Sequence, residues 1–117
     1  MVDVRLYQMV IDCADPRALA AWWRELLGWE ERTTHDEWAS IEAPGGTPRI
    51  GFQRVPEPKT VKNRVHLDFA AADEESTARA IESMGATRRW VSEDPDDRFV
   101  VLADPEGNEF CIVRAPS

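Results

Sequence analysis

The chain has 117 residues, with 14 Lys and Arg against 22 Asp and Glu, a net charge of −8 at pH 7. That length favours one domain with a real core, and 43 % apolar with 31 % charged residues excludes a disordered chain. The acidic balance argues against nucleic acid and against an anionic membrane surface as partners, and no apolar run approaches the ~20 residues of a spanning helix.

The charges in Met1-Val2-Asp3-Val4-Arg5 read against a signal peptide. The first strand pattern runs over 2–11. Asp15 then caps a helix over 16–27, with Pro16 at its first position and Gly28 at its stop. Leu19, Trp22, Trp23, Leu26 and Leu27 recur at helical spacing. Three strand-like pieces follow near 29–34, 37–42 and 49–55, with the turn Pro44-Gly45-Gly46 between the last two. Residues 56–63, rich in Pro and Lys, read as a linker.

The same order then repeats. A strand pattern over 65–70 leads to Asp73, Glu74 and Glu75, acids that suit a helix N-terminus, and to a helix over 74–84 closed by Gly85. Strands are expected near 87–92, 98–103 and 109–114. The turn Asp104-Pro105-Glu106-Gly107-Asn108 stands before the last, with Gly107 or Asn108 taking a positive φ. Asp15/Asp73, Ala20/Ala78, Phe52/Phe110 and Val55/Val113 lie 58 residues apart. The chain therefore reads as β-α-β-β-β twice, an α+β fold in a single domain over 1–117. Module 1 spans about 1–55, the linker about 56–63 and module 2 about 64–117. Each half alone leaves apolar surface uncovered, so two tandem modules forming an open eight-stranded cup-shaped sheet are expected. A ferredoxin-like α+β sandwich is the alternative.

Strand side chains alternate between faces. Met9 and Ile11 oppose Gln8 and Val10; Leu67 and Phe69 oppose His66 and Asp68; Phe110 and Ile112 oppose Cys111 and Val113. The apolar sets should pack on the helices, leaving Gln8, Gln53, His66, Asp68 and Cys111 on a polar-lined concave face. By the 58-residue offset Gln8 matches His66 and Gln53 matches Cys111. Five tryptophans exceed what a small core needs. Trp22, Trp23 and Trp29 read as core, whereas Trp38 and Trp90 sit where an indole can stack on a planar ligand.

Four segments carry a family resemblance: Asp12-Cys13-Ala14-Asp15-Pro16, Trp22-Trp23-Arg24-Glu25-Leu26-Leu27-Gly28-Trp29, His66-Leu67-Asp68 and Asp104-Pro105-Glu106-Gly107-Asn108-Glu109-Phe110. Together they resemble the vicinal oxygen chelate superfamily, the glyoxalase/bleomycin-resistance/dioxygenase proteins, and within it the glyoxalase-like domain group. The resemblance implies a cup-shaped, often dimeric protein with its ligand inside. In metal-dependent members, His or Gln and Glu side chains hold a divalent ion; the matching positions here are Gln8, Gln53, His66 and Cys111. Cys111 stands where the pattern has Glu, which removes the carboxylate that hard cations prefer.

The plain alternatives are equally concrete. His66 is a catalytic or ligand-binding candidate, or simply a strand His paired with Asp68. Cys111 is a reactive thiol or an inert buried filler. Arg88-Arg89 attracts an anion or lies on the surface. Both cysteines lack metal-type spacing and read as reduced thiols in a cytoplasmic protein. The expected function is binding of a small, partly aromatic molecule by Gln8, Trp38, Gln53, His66, Asp68 and Cys111, in a homodimer and without a metal cofactor. The alternative is a lyase, isomerase or dioxygenase dependent on Zn, Ni, Mn or Fe held by Gln8 and His66.

Overall fold

A computed structural model describes residues 2–115; the outermost positions of the two module ranges, 1, 116 and 117, lie outside the described residues. The element order is β1 (Met9–Cys13), α1 (Pro16–Leu27), β2 (Glu30–Thr34), β3 (Trp38–Glu42), β4 (Arg49–Arg54), β5 (Leu67–Ala71), α2 (Glu74–Ser83), β6 (Thr87–Val91), β7 (Phe99–Ala103) and β8 (Glu109–Arg114). Two four-stranded mixed sheets result, in the orders β1-β4-β3-β2 and β5-β8-β7-β6. In each, the first and last strands of the module pair in parallel and the other pairs are antiparallel. This is the α+β fold of two β-α-β-β-β modules, and a helix-containing crossover is what a parallel first–last pairing requires.

Chain contacts divide the protein into two compact units, Met1–Pro58 and Lys59–Ser117. Residues 59–63 are fixed to the second unit by Glu109. Its carboxylate accepts from Lys59 Nζ at 3.0 Å and from the Asn63 N–H at 3.0 Å.

In the first unit the Asp15 carboxylate accepts from the Ala18 N–H at 3.2 Å, and Gly28, at φ +69°, ends α1 by donating to the Arg24 carbonyl. The buried stripe Leu19, Ala20 and Trp23 packs on β3 and β4, where Ala39, Ile41, Ile50 and Phe52 are fully buried. Trp22 is only half-buried and sets its ring edge-on to Trp23 at 5.2 Å. In the second unit Asp73 accepts from the Glu75 and Ser76 N–H groups, and Ala78 and Ile81 face Val100 and Leu102 of β7 and Phe110 and Ile112 of β8. Each buried Val, Leu, Ile or Phe among them contributes roughly 1.5–3 kcal/mol by leaving water. No helix among the described residues is long and apolar enough to cross a membrane.

Two sequence expectations are corrected. The first strand does not span 2–11: residues 2–8 precede the ladder, which opens at Met9↔Ile50 because β4 begins only at Arg49. β5, expected over 65–70, is shortened likewise, its ladder opening at Leu67↔Phe110, so His66 stands just before it. The 58-residue offset also fails beyond the helices. It holds for β1 and β5, but the β6–β7 loop has seven residues (92–98) where the β2–β3 loop has three (35–37). With one residue fewer before β6 and one fewer between β7 and β8, β8 trails β4 by 60 residues. In sheet register Cys111 matches Gly51, not Gln53, and Phe99 matches Trp38.

Candidate functional site

Three predicted site residues converge on the face of the second sheet that turns away from α2. Asp68 lies on β5, and the parallel β5–β8 ladder puts Cys111 directly beside it. His66, two residues before Asp68, falls on the same face. Its Nδ1 shares a hydrogen bond with Asp68 Oδ1 at 3.1 Å, and Cys111 Sγ lies 3.7 Å from the same nitrogen. The ligand-type atoms of all three side chains lie within 4.8 Å of one another. His66 and Asp68 are exposed, whereas Cys111 is buried.

This trio floors a cavity of about 350 Å³ whose apolar wall is Phe99, Val101 and Val113 and whose polar rim is Lys62, Asp97 and Glu109. That volume falls within the range of small-molecule sites. A neighbouring hollow of about 540 Å³ shares Lys62, Val101 and Glu109 and adds Lys59, Arg89 and Trp90. Trp90 is 56 % exposed, and its ring centroid lies 5.4 Å from that of Phe99. Arg88 and Arg89 part company. Arg88 is clamped by Glu75 and Glu82, whereas Arg89 lines the hollow.

The other predicted residues belong to the first unit. Trp38 and Gln53 are cross-strand partners on β3 and β4, and Gln8 immediately precedes β1. Gln53 is exposed; Trp38 is half-buried with its indole over Gly51.

Electrostatics assign the Cys111 thiol a definite state. Burial first, and then the Asp68 carboxylate beside it, pushes the Cys111 thiol up to about 11, so it is protonated at neutral pH and is no ready nucleophile. Burial alone would raise Glu109, but the Asn63 N–H and the Lys59 ammonium outweigh it and hold the carboxyl below its ordinary value. Lys62, Phe99 and Asp97 were missed by sequence reasoning. Lys62 sits in a stretch that reads as linker, and Phe99 becomes legible only through its register match with Trp38.

The family pattern implies a divalent metal, and the donors present fit one kind of ion. Imidazole nitrogen, carboxylate oxygen and thiol sulfur suit Zn²⁺, not the all-oxygen shells of Mg²⁺ or Ca²⁺.

The model of the glyoxalase-like domain family matches residues 8–113. Similar solved structures include a glyoxalase/bleomycin resistance protein/dioxygenase family enzyme from Burkholderia phytofirmans PsJN, 21 % identical at a TM-score of 0.77, covering 97 % of this chain and 100 % of that one. A second is the bleomycin-binding protein of Streptomyces verticillus complexed with copper(II)-bleomycin (19 %, TM-score 0.68, covering 99 % and 100 %). A third is a possible glyoxalase from Bacillus cereus (14 %, TM-score 0.72, covering 93 % and 97 %). At these identities the likeness establishes the fold. No curated protein matches the chain.

Proposed function

The chain belongs to the glyoxalase-like domain family, and from that premise we propose that it is a small-molecule-binding protein whose second module holds a planar, partly aromatic ligand on its open sheet face. The observation that carries this is the cavity in which an apolar wall (Phe99, Val101, Val113) meets the polar trio His66, Asp68 and Cys111. Such a pairing of apolar area with a few placed polar groups is the usual form of a ligand site. A ring set against Phe99 reaches the exposed Trp90 indole, which adds stacking area. His66 and Asp68 offer hydrogen bonds to the ligand's polar end, and Lys62 and Arg89 stand ready for an anionic group. The bleomycin-binding protein of the same fold is a precedent for a small molecule held in this architecture.

Tryptophan fluorescence tests this reading. Titration with a library of planar aromatic acids should quench or shift emission. Phe99→Ala should weaken the hits about tenfold or more, the loss of roughly 1.5 kcal/mol of ring contact. Silence across the library overturns it. The alternative reading, a metal-dependent lyase, isomerase or dioxygenase, is favoured by one observation, the convergence of three different donor types at His66, Asp68 and Cys111.

A further inference from the structure

We propose that His66 Nδ1, Asp68 Oδ1 and Cys111 Sγ form a three-donor Zn²⁺ site contained wholly within the second module. The family pattern draws its donors from both modules and expects a carboxylate at 111; by sheet register the counterpart of 111 in the first module is Gly51, which carries no donor side chain. Here that carboxylate is absent, and a different one, Asp68, stands next to the thiol that replaces it.

The spacing matches the ion. With Zn–N, Zn–O and Zn–S bonds of about 2.05, 2.1 and 2.3 Å, a tetrahedron has N···O and N···S edges of about 3.4 and 3.6 Å. The corresponding separations are 3.1 and 3.7 Å. The third pair, oxygen and sulfur, is within 4.8 Å, so a small side-chain rotation of the exposed Asp68 closes the shell. One thiolate and one carboxylate balance the charge of a divalent cation. Thiolate with imidazole selects Zn²⁺ over Mg²⁺, Mn²⁺ and Ca²⁺. The backbone holds the set: Asp68 and Cys111 are ladder partners, and His66 is two residues along the same chain. All three donors line the 350 Å³ cavity, which would leave room at a fourth position for water or an oxygen of a bound molecule. On binding, the Cys111 S–H proton passes to solvent and the sulfur bonds the ion, with no change of oxidation state.

The test uses the untagged full chain, stripped with a chelator. Equilibrium dialysis against Zn²⁺ should retain one ion per chain. His66→Ala, Asp68→Asn and Cys111→Ser should each weaken retention about tenfold or more. Cys13→Ser, which removes the other thiol, should leave it unchanged. Co²⁺ in place of Zn²⁺ should give intense tetrahedral visible bands and a sulfur-to-metal charge-transfer band, the latter lost in Cys111→Ser and kept in Cys13→Ser. Failure to retain Zn²⁺, equal retention by the His66→Ala and Asp68→Asn variants, or a Co²⁺ spectrum with no thiolate band overturns the proposal. His66 and Asp68 are exposed, so their variants keep the fold even if Cys111→Ser does not. Aromatic-ligand binding by the metal-free chain is scored separately, so either reading can fail alone.

Discussion

The indole of Trp38 lies over Gly51, at the place in its sheet that Cys111 occupies in the second one. A Cβ at Gly51 would stand within 3.0 Å of three atoms of that ring. Gly51 is thus the condition for the ring to settle on the strand. In the second module the matching position carries a side chain, and the matching aromatic, Phe99, rests against Trp90 and borders a cavity. One repeat has its open face closed by an aromatic lid, and the other has a hollow with three polar side chains at its floor.

Gly51→Ala should therefore destabilise the protein although its backbone is not in the left-handed region. The added methyl displaces the indole, at a cost of about 1–3 kcal/mol. Urea unfolding of Gly51→Ala, Trp38→Ala and the double variant checks this. The cost of the alanine should vanish once Trp38 is gone, because the two effects share one contact. Equal cost in both backgrounds would place the strain elsewhere.

Most of the fold could be read from the chain because its signals are local. Asp15 and Asp73 each cap a helix, Gly28 ends the first one, and both helices begin where those caps put them. His66 and Asp68 were legible as a pair because two residues along an extended chain return a side chain to the same face. The failures have a different origin. Loop length is set by what a loop can tolerate and not by hydrophobic period, so four extra residues in 92–98, half offset by shorter connections before β6 and before β8, shifted the repeat by two and mispaired Cys111 with Gln53. The ends of β1 and β5 are decided by where their partner strands begin, which lies about 40 residues away in the chain. Lys62 carried no pattern, since a lysine in a Pro-rich stretch looks like any solvated residue.

The thiol of Cys111 should be slow to react. Held at about 11 by burial and by Asp68, it has about a thousandth of its population as thiolate at pH 8, against about a tenth for a thiol at the ordinary 9.0. Iodoacetamide labelling of the chelator-stripped Cys13→Ser variant should run roughly a hundredfold below a free thiol at pH 8 and climb steeply toward pH 11. Asp68→Asn removes a raising influence and should speed it. The same shift links to stability. The folded state keeps its proton above the ordinary value of 9.0, so the contribution is complete below pH 9 and disappears as pH rises through about 11.

Glu74 ties α2 to its sheet. Its carboxylate accepts from Arg98 Nε at 2.7 Å and from Arg114 Nε at 2.8 Å, at the spot where α1 has the buried Pro16. Its own backbone N–H and the two guanidiniums, acting against burial, lower it from 4.5 to about 2. A depressed carboxyl stabilises above its unfolded value. That contribution should be complete above pH 4.5 and should fade as pH drops through about 2. Glu74→Gln should melt below the parent at pH 6, and the gap should narrow steadily below pH 4. A constant gap from pH 6 to pH 2.5 would show that packing, not charge, holds the helix start.

The turn before β8 controls where Cys111 lands. Asp104 is buried, and its carboxylate accepts from the Glu106 N–H at 2.9 Å, the Asn108 N–H at 3.0 Å and Asn108 Nδ2 at 3.0 Å. Gly107, at φ +90°, makes the reversal. Asp104→Ala strands those donors inside the protein and should cost about 2–4 kcal/mol, one to two unmet buried bonds after relaxation. Without the turn the start of β8 also opens more readily, and that local opening uncovers the Cys111 thiol. The expected signature is a stability loss accompanied by faster Cys111 labelling, because burial of the thiol depends on that turn. Asp104→Asn keeps an acceptor oxygen and should recover part of both. A stability loss with unchanged labelling would show that the β5–β8 ladder alone is enough to hold the trio together.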